Sequence, residues 1–403
     1  MAKADLRMNI LIVSPVPTHP STRGNSARIL YIADKMKEWG HDVWFLHTSY
    51  QEGDPAAMAA WWGDRFIHHQ YKKPWRKFRF FGIPVPDRWH HSLLKRGWLH
   101  QRIDQLYDNS LDDLLQESHR KHRFDAVLVE YVNFSKALLL FGQETLKLID
   151  THDIYSDRHK RLIKAGLPPE WFFLSRREEK KGLLRADKIM AIQDIERDFF
   201  IALLEGKRTV KTVGFFLKVT PFPPEEQGRR VVYIGANATL NVQAISAFLN
   251  DIWPRLHQAD PLLELHIWGG VTSELAKIPP PGVFMHQECR DVTEAYTGAG
   301  IAINPMIAGT GLKTKTIEAL AFGLPVVASP VAVEGLPSAG GESEVPWRVA
   351  RTPAEWVETI LVLARDDAAR QSLALNAANY ARTYVATQQE SMRTMLERQK
   401  TAG

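Results

Sequence analysis

The sequence predicts an α/β protein built from two doubly wound domains. Three observations predict this class. A strand-loop-helix-strand order opens at Asn9, and a second αβ series opens at Val231 after a Pro-rich interruption. The chain has 403 residues, which suits two domains of about 200 better than one. Hydrophobic residues make up 45 % of it, enough for two sizeable cores.

The first domain begins with NILIVS, Asn9 to Ser14, a continuous apolar run of the kind that forms a strand buried on both faces. A loop, Pro15 to Gly24, leads into a helix from about Asn25 to Trp39 with Ile29, Ile32, Ala33 and Met36 on one face. Gly40 caps it, and Val43 to His47 is the next strand. Residues 51–116 break this rhythm. Lys72, Lys73, Trp75, Arg76, Lys77, Arg79, Phe80 and Phe81 precede Trp89, His90, His91 and Trp98. Basic residues interleaved with aromatics suit an anionic membrane surface or a polyanionic acceptor, and equally a solvated helical face over a small core. No RNA-binding motif accompanies them, and no nucleic-acid partner is expected.

Phe124 to Glu130 and Leu146 to Asp150 read as strands. Ligands of doubly wound sheets bind beyond the carboxyl ends of the strands, so Glu130 and His152 are the candidate catalytic residues. Pro168 to Asp187 reads as an exposed charged helix, and Lys188 to Ile192 as a strand before a helix that begins near Asp194. Phe215 to Arg229, with Pro221, Pro223 and Pro224, is the candidate linker. The expected domains are residues 1–215 and 230–375, joined by 216–229, with 376–403 as a final helix.

In the second domain VVYIG turns through Gly235, Ala236 and Asn237 into a helix expected to reach Leu256. Strands follow at Leu263 to Trp268, Val283 to His286 and Ile301 to Asn304. The last of these enters the stretch NPMIAGTGLKTKTIEALAFGLPVVAS, Asn304 to Ser329. A turn of small residues, Ala308 to Gly311, opens a helix expected from Leu312 to Phe322, and Leu324 to Val327 reads as a buried strand. A glycine turn at a helix start aims backbone N–H groups at one spot, where the helix dipole adds positive potential. Lys313 and Lys315 add formal charge, which makes this a candidate diphosphate cradle. Glu318 lies seven residues after Gly311, where it can accept hydrogen bonds from sugar hydroxyls. The turn lacks the Gly-Lys-Ser/Thr of a P-loop and the third glycine of a dinucleotide fingerprint, so on shape alone it remains an αβ unit with a glycine turn.

This stretch resembles the nucleotide-sugar-binding motif of retaining glycosyltransferases of the GT-B architecture, family GT4. Their helix reads Glu-Ala-Leu/Met-Ala-x-Gly-x-Pro-Val-Val. Many members carry two glutamates seven residues apart; here Glu318 is the second and Thr310 occupies the first position. SPVPTHPSTRGNSARI is also similar to that family's first loop. The resemblance covers most of the chain outside residues 51–116. It implies two Rossmann-like domains facing across a cleft, with the last helix crossing back to the first domain. It implies donor contacts from Gly24, Asn25, Gly235, Asn237, Gly309, Thr310, Gly311, Leu312, Lys313, Lys315 and Glu318, with Glu318 on the ribose. The activity it implies is retaining sugar transfer from a nucleotide-sugar to a glycan, lipid-linked or small-molecule acceptor. A sugar-nucleotide epimerase of the same fold, or a binding protein without turnover, are the alternatives.

Lysines and helix starts can hold a diphosphate without a cation, and no Asp-x-Asp or His/Cys set stands at metal spacing. No metal or other cofactor is therefore expected. A single cysteine, Cys289, excludes an internal disulfide framework and suits a reducing compartment. No apolar run approaches the roughly 18 residues of a membrane span. A cytoplasmic protein is expected, with residues 72–98 as a candidate peripheral contact with the inner membrane surface. The net charge of +5 is mild for this length.

Overall fold

The computed structural model describes residues 7–21, 24–73, 79–80, 83–84, 100–164, 172–215, 217–221, 228–275, 277–287, 292–309, 311–338 and 344–397. Contacts divide the chain into two compact units. Unit 1 comprises Met1–Ser21, Asn25–Gly214 and Gln389–Gly403; unit 2 comprises Thr22–Gly24 and Phe215–Gln388.

Unit 1 is built on β1 (Asn9–Ser14), β2 (Asp42–His47), β3 (Phe66–His68), β6 (Ala126–Glu130), β7 (Leu146–Asp150), β8 (Lys188–Ala191) and β9 (Thr209–Thr212). These strands form one parallel sheet in the order β3-β2-β1-β6-β7-β8-β9. A two-residue antiparallel hairpin, β4 (Arg79–Phe80) with β5 (Ile83–Pro84), stands apart from it. The central strands are buried along nearly their whole length, which is why they read as unbroken apolar runs rather than alternating ones. Strand order reverses between β1 and β6, so the loops beyond their carboxyl ends diverge and leave a binding position there.

Unit 2 repeats the plan with β10 (Arg230–Ile234), β11 (Glu264–Trp268), β12 (Val283–His286), β13 (Ile301–Asn304), β14 (Val326–Ala328) and β15 (Trp347–Val349). They form a second parallel sheet, β12-β11-β10-β13-β14-β15. Its reversal falls between β10 and β13. Two doubly wound, Rossmann-like sheets are what the sequence leads one to expect.

Several element limits differ from the sequence reading for local reasons. The helix expected to run from Asn237 to Leu256 is two, Thr239–Asp251 and Trp253–Ala259. Pro254 has no N–H to donate and its ring crowds the preceding turn, so the chain breaks at Ile252. The helix expected from Leu312 starts at Thr314, because Lys313 holds φ −84° and ψ 83°, outside the helical region. Of the charged helix expected from Pro168, the described part is Arg176–Leu183, capped by the Ser175 side chain. The edge strands β3, β9 and β15 were not anticipated; each is only three or four residues long and carries no distinct pattern. The final helix is a single element, Asp367–Leu396, which begins before the 376 boundary read from the sequence. Its end belongs to unit 1, where Ser391 Oγ donates to the Thr212 carbonyl at 2.5 Å and the Lys188 ammonium donates to the carbonyls of Thr394 and Glu397.

One buried ion pair ties the layers of unit 1 together. Arg28, on the helix Gly24–Glu38, donates from Nε and Nη2 to the two Asp150 oxygens at 2.7 and 2.9 Å. Its Nη1 and Nη2 also donate to the Gly214 and Val213 carbonyls, both at 2.6 Å. One guanidinium thus fixes a helix, the end of β7 and the segment that leaves β9. Removing one partner of a buried pair strands the other and costs about 3–5 kcal/mol. Arg28→Met is expected to lose stability on that scale in urea unfolding, and Arg28→Met with Asp150→Asn to recover part of it. A single-variant loss under about 1 kcal/mol, the level of a surface pair, contradicts this role.

Candidate functional site

Each unit presents polar chemistry at its own switch point. In unit 2 the loop after β10 enters the helix Thr239–Asp251, and the loop after β13 enters the helix Thr314–Ala321. Neither helix start is capped by its N-cap side chain. Both border one pocket of about 380 Å³, lined on one side by Ala236, Asn237 and Asn241 and on the other by Lys313, Thr314 and Lys315. The N-terminal ends of two helices therefore border a common space, with their dipoles and two ammonium groups adding positive potential. That combination suits an anion of the size of a diphosphate.

The turn before the second helix needs its glycines. Gly309 and Gly311 hold φ of 135° and 76°, where a side chain would be strained. Lys313 Nζ donates back to the Gly311 carbonyl at 2.7 Å and so braces the turn it follows. Lys315 Nζ is paired with Glu318 Oε2 at 2.8 Å. A larger cavity, about 520 Å³, lies against Pro337, Asn376, Tyr380 and Gln388. It has no cation among its described lining residues, so the smaller pocket is the better anion site.

Of the donor contacts read from the sequence, Gly24, Gly235, Asn237, Leu312, Lys313 and Lys315 line the smaller pocket. Thr310 lies outside the described residues, as does Cys289. Glu318 does not line the pocket; it is buried, one turn into the helix, against Lys315. The helix expected from Leu312 starts at Thr314, so Glu318 stands four residues after its first residue. Asn25 belongs to unit 1, where its Nδ2 donates to the Tyr131 hydroxyl at 3.0 Å and its Oδ1 accepts from Ser26 N.

In unit 1 the candidate catalytic pair is assembled by two neighbouring strand ends. Glu130 ends β6 and Asp150 ends β7, in register across the sheet. His152 follows two residues later, and its Nε2 meets Glu130 Oε2 at 2.6 Å and Asp150 Oδ2 at 3.5 Å. The Tyr131 ring stacks on the imidazole, with centroids 4.1 Å apart and planes 9° apart. His152 and Tyr131 both hold positive φ, 59° and 68°, a conformation that costs energy for a side-chain-bearing residue and persists only where the surroundings impose it. With Nε2 taken by the carboxylate, Nδ1 is the ring nitrogen left to meet a substrate, and the described residues make no hydrogen bond to it.

The electrostatics divide the two acids. Burial pushes the Glu130 carboxyl up, and the neighbouring Asp150 charge pushes it further. Burial acts on Asp150 too, but the Arg28 guanidinium outweighs it and holds that carboxyl below its usual value. The two carboxyls are therefore driven apart, Glu130 up and Asp150 down. Glu130, Asp150 and His152 also bring potential ligand atoms within 4.8 Å of one another. Both Asp150 oxygens already accept from Arg28, so a fixed guanidinium fills the corner a metal ion would need.

Sequence reasoning missed Arg28, Asp150 and Tyr131. One signal was present: Arg28, Ile32 and Met36 recur at four-residue spacing on the buried face of their helix, and a charge in an apolar stripe needs a buried partner. The basic-aromatic stretch 72–98 lies almost wholly outside the described residues. Among those described, no helix is long and apolar enough to cross a membrane.

Residues 228–366 match the family model described as Glycosyl transferases group 1. No curated protein matches the chain in sequence. Among solved structures, Alr3699/HepE of Anabaena, determined with UDP and glucose, is 15% identical with a TM-score of 0.61, covering 97% of this chain and 99% of its own. TarM of S. aureus is 10% identical with a TM-score of 0.67, covering 98% and 100%. Sucrose-phosphate synthase of Thermosynechococcus elongatus is 13% identical with a TM-score of 0.64, covering 96% and 98%. At such identities these likenesses speak for the fold.

The acid–base cluster generates its own prediction. A carboxyl whose folded value is raised binds its proton more tightly in the folded state, so its contribution is complete below its ordinary value of 4.5 and is lost as pH rises above it. Glu130→Gln cannot titrate. The stability of wild type relative to Glu130→Gln, from thermal melts across pH, should be greatest in acid and shrink toward neutral pH; a difference that grows with pH reverses the assignment. Taken together, the chain resembles the group 1 glycosyltransferases, by family model over residues 228–366 and by GT-B fold along nearly its whole length.

Proposed function

We propose that this protein is a glycosyltransferase that takes a sugar from a nucleoside-diphosphate donor with retention of configuration and without a metal ion. The observation that carries the reading is the unit 2 pocket, where two uncapped helix starts and Lys313 and Lys315 face one space. Sugar transfer requires that the departing diphosphate be stabilised as its charge develops, and preorganised N–H groups and ammonium ions supply that without reorganisation. The UDP bound by HepE is a ligand of this kind. Glu318 is the proposed ribose contact, and to reach the pocket it has to leave its 2.8 Å pair with Lys315. His152 of unit 1, backed by Glu130, takes the acid–base role in this reading. The acceptor is a glycan, a lipid-linked sugar or a small molecule. The composition of residues 72–98, basic and aromatic, suits an acceptor presented at an anionic membrane surface.

The direct test is incubation with labelled nucleotide-sugars and mass spectrometry of the products. Transfer to an acceptor supports the proposal, an isomerised nucleotide-sugar points to an epimerase, and tight binding without turnover to a binding protein. Turnover is expected to persist in excess EDTA. Its loss on chelation and return with Mg²⁺ or Mn²⁺ would overturn the metal-free reading. His152→Ala is expected to lower kcat by about 10²–10⁴-fold, the usual worth of a positioned acid or base, while nucleotide affinity by calorimetry stays unchanged. A kcat within a few-fold of wild type, in a variant that melts normally, removes His152 from the chemistry.

A further inference from the structure

The loop from Thr151 to Asp157 carries His152 and is held in an unusual shape, with positive φ at both His152 and Asp157. Thr151 anchors its start, donating from N and Oγ1 to the Met190 carbonyl at 3.1 Å each. The middle of the loop is held differently. Tyr155 N donates to Glu179 Oε1 at 2.8 Å and Ser156 N to Glu179 Oε2 at 2.9 Å. Glu179 comes from a separate helix, Arg176–Leu183, and is fully buried. It therefore grips two successive backbone N–H groups with both oxygens, a fork that fixes the direction of the chain as well as its position.

We infer that Glu179 is a positioning residue for His152, acting by clamping the loop that presents the imidazole to substrate. The inference rests on the role proposed above for His152. A buried carboxylate is a costly way to satisfy two N–H groups that water could serve in an exposed loop. Burial, with the Asp153 charge nearby, raises the Glu179 carboxyl to about 7 against the pull of its hydrogen bonds, so the cost is not fully offset. What the fork gains is geometry. Tyr131 stacks on one face of the imidazole and Glu130 holds Nε2, so the ring is aimed correctly only if its loop enters at one angle. Glu179 reaches none of these groups directly and does not line the unit 2 pocket.

The test is a double-mutant cycle with Glu179→Gln and His152→Ala in the full-length protein, read by steady-state kinetics and nucleotide calorimetry. Glu179→Gln keeps the shape but offers a single acceptor oxygen to the two N–H groups. It is expected to lower kcat by about 10- to 100-fold, the scale of a misplaced catalytic group, with nucleotide Kd unchanged. In the His152→Ala background it should have no further effect, because a residue that acts through His152 has nothing left to position. Glu179→Asp, which keeps the charge but withdraws it by one methylene, should fall between wild type and Glu179→Gln, and replaces Glu179→Gln in the cycle if that variant does not fold. An equal fold loss in both backgrounds, or an unchanged kcat, overturns the inference. Ring resonances of ¹³C-labelled histidines, with His152 assigned from His152→Ala, give a second reading that does not need turnover. The His152 signal should shift in Glu179→Gln while the other histidines stay in place; an unmoved signal also overturns it. Should His152→Ala leave kcat intact, the role of His152 fails, and the resonance shift still decides whether Glu179 sets its geometry.

Discussion

The Arg28–Asp150 ion pair is the constraint on which unit 1 depends. It is buried, bidentate and further bonded to two main-chain carbonyls beyond β9, so each nitrogen of the guanidinium fork has an oxygen partner. It also decides the chemistry next to it. With Asp150 committed to Arg28 as an anion, Glu130, already raised by burial, ionises beside it only against repulsion. His152 then meets one acid whose carboxyl is raised and one whose carboxyl is lowered. An arginine chosen for packing would not need this partner; an aspartate chosen for packing would not be buried at a strand end. The pair is structural and electrostatic at once.

Unit 2 solves a different problem with different means. A diphosphate carries its charge on several oxygens, and a single cation would serve one side of it. The reversal of strand order between β10 and β13 sends two helices away from one point with both positive ends toward it. Backbone dipoles then provide a distributed field, to which the Lys313 and Lys315 ammonium groups add. Both lysines are bonded to protein oxygens, Lys313 to the Gly311 carbonyl and Lys315 to the Glu318 carboxylate, so their positions are set in advance. Preorganisation of this sort is what makes electrostatic stabilisation effective, because little has to move when charge develops.

The two units share a plan but carry separable tasks. Unit 2 offers backbone and ammonium groups suited to binding an anion, and unit 1 offers titratable side chains suited to moving or holding a proton. The conformational cost is correspondingly placed. In unit 2 the positive φ values of the site fall on Gly309 and Gly311, where they cost little. In unit 1 they fall on Tyr131 and His152, which have side chains to aim and must be held by stacking, by Glu130 and by the loop clamp of Glu179.

What the sequence by itself determined was the periodic and the local. Apolar runs such as NILIVS declared their strands because a parallel strand is buried on both faces, and the glycine turn after Asn304 declared itself because only glycine accepts its backbone angles. Glu130 and His152 could be named from strand ends alone, since topology puts those positions at a binding edge. The tertiary structure decided whatever depends on partners far apart in the chain. Arg28 and Asp150 are 122 residues apart, and nothing in either neighbourhood names the other. Whether Glu318 faces a ligand or pairs with Lys315, whether Asn25 turns to a phosphate or to Tyr131, and which of two adjacent carboxyls is raised are all set by burial and by which charge lies nearest. Burial and charge proximity are properties of the folded arrangement, because desolvation and Coulomb energies depend on distances that only packing creates.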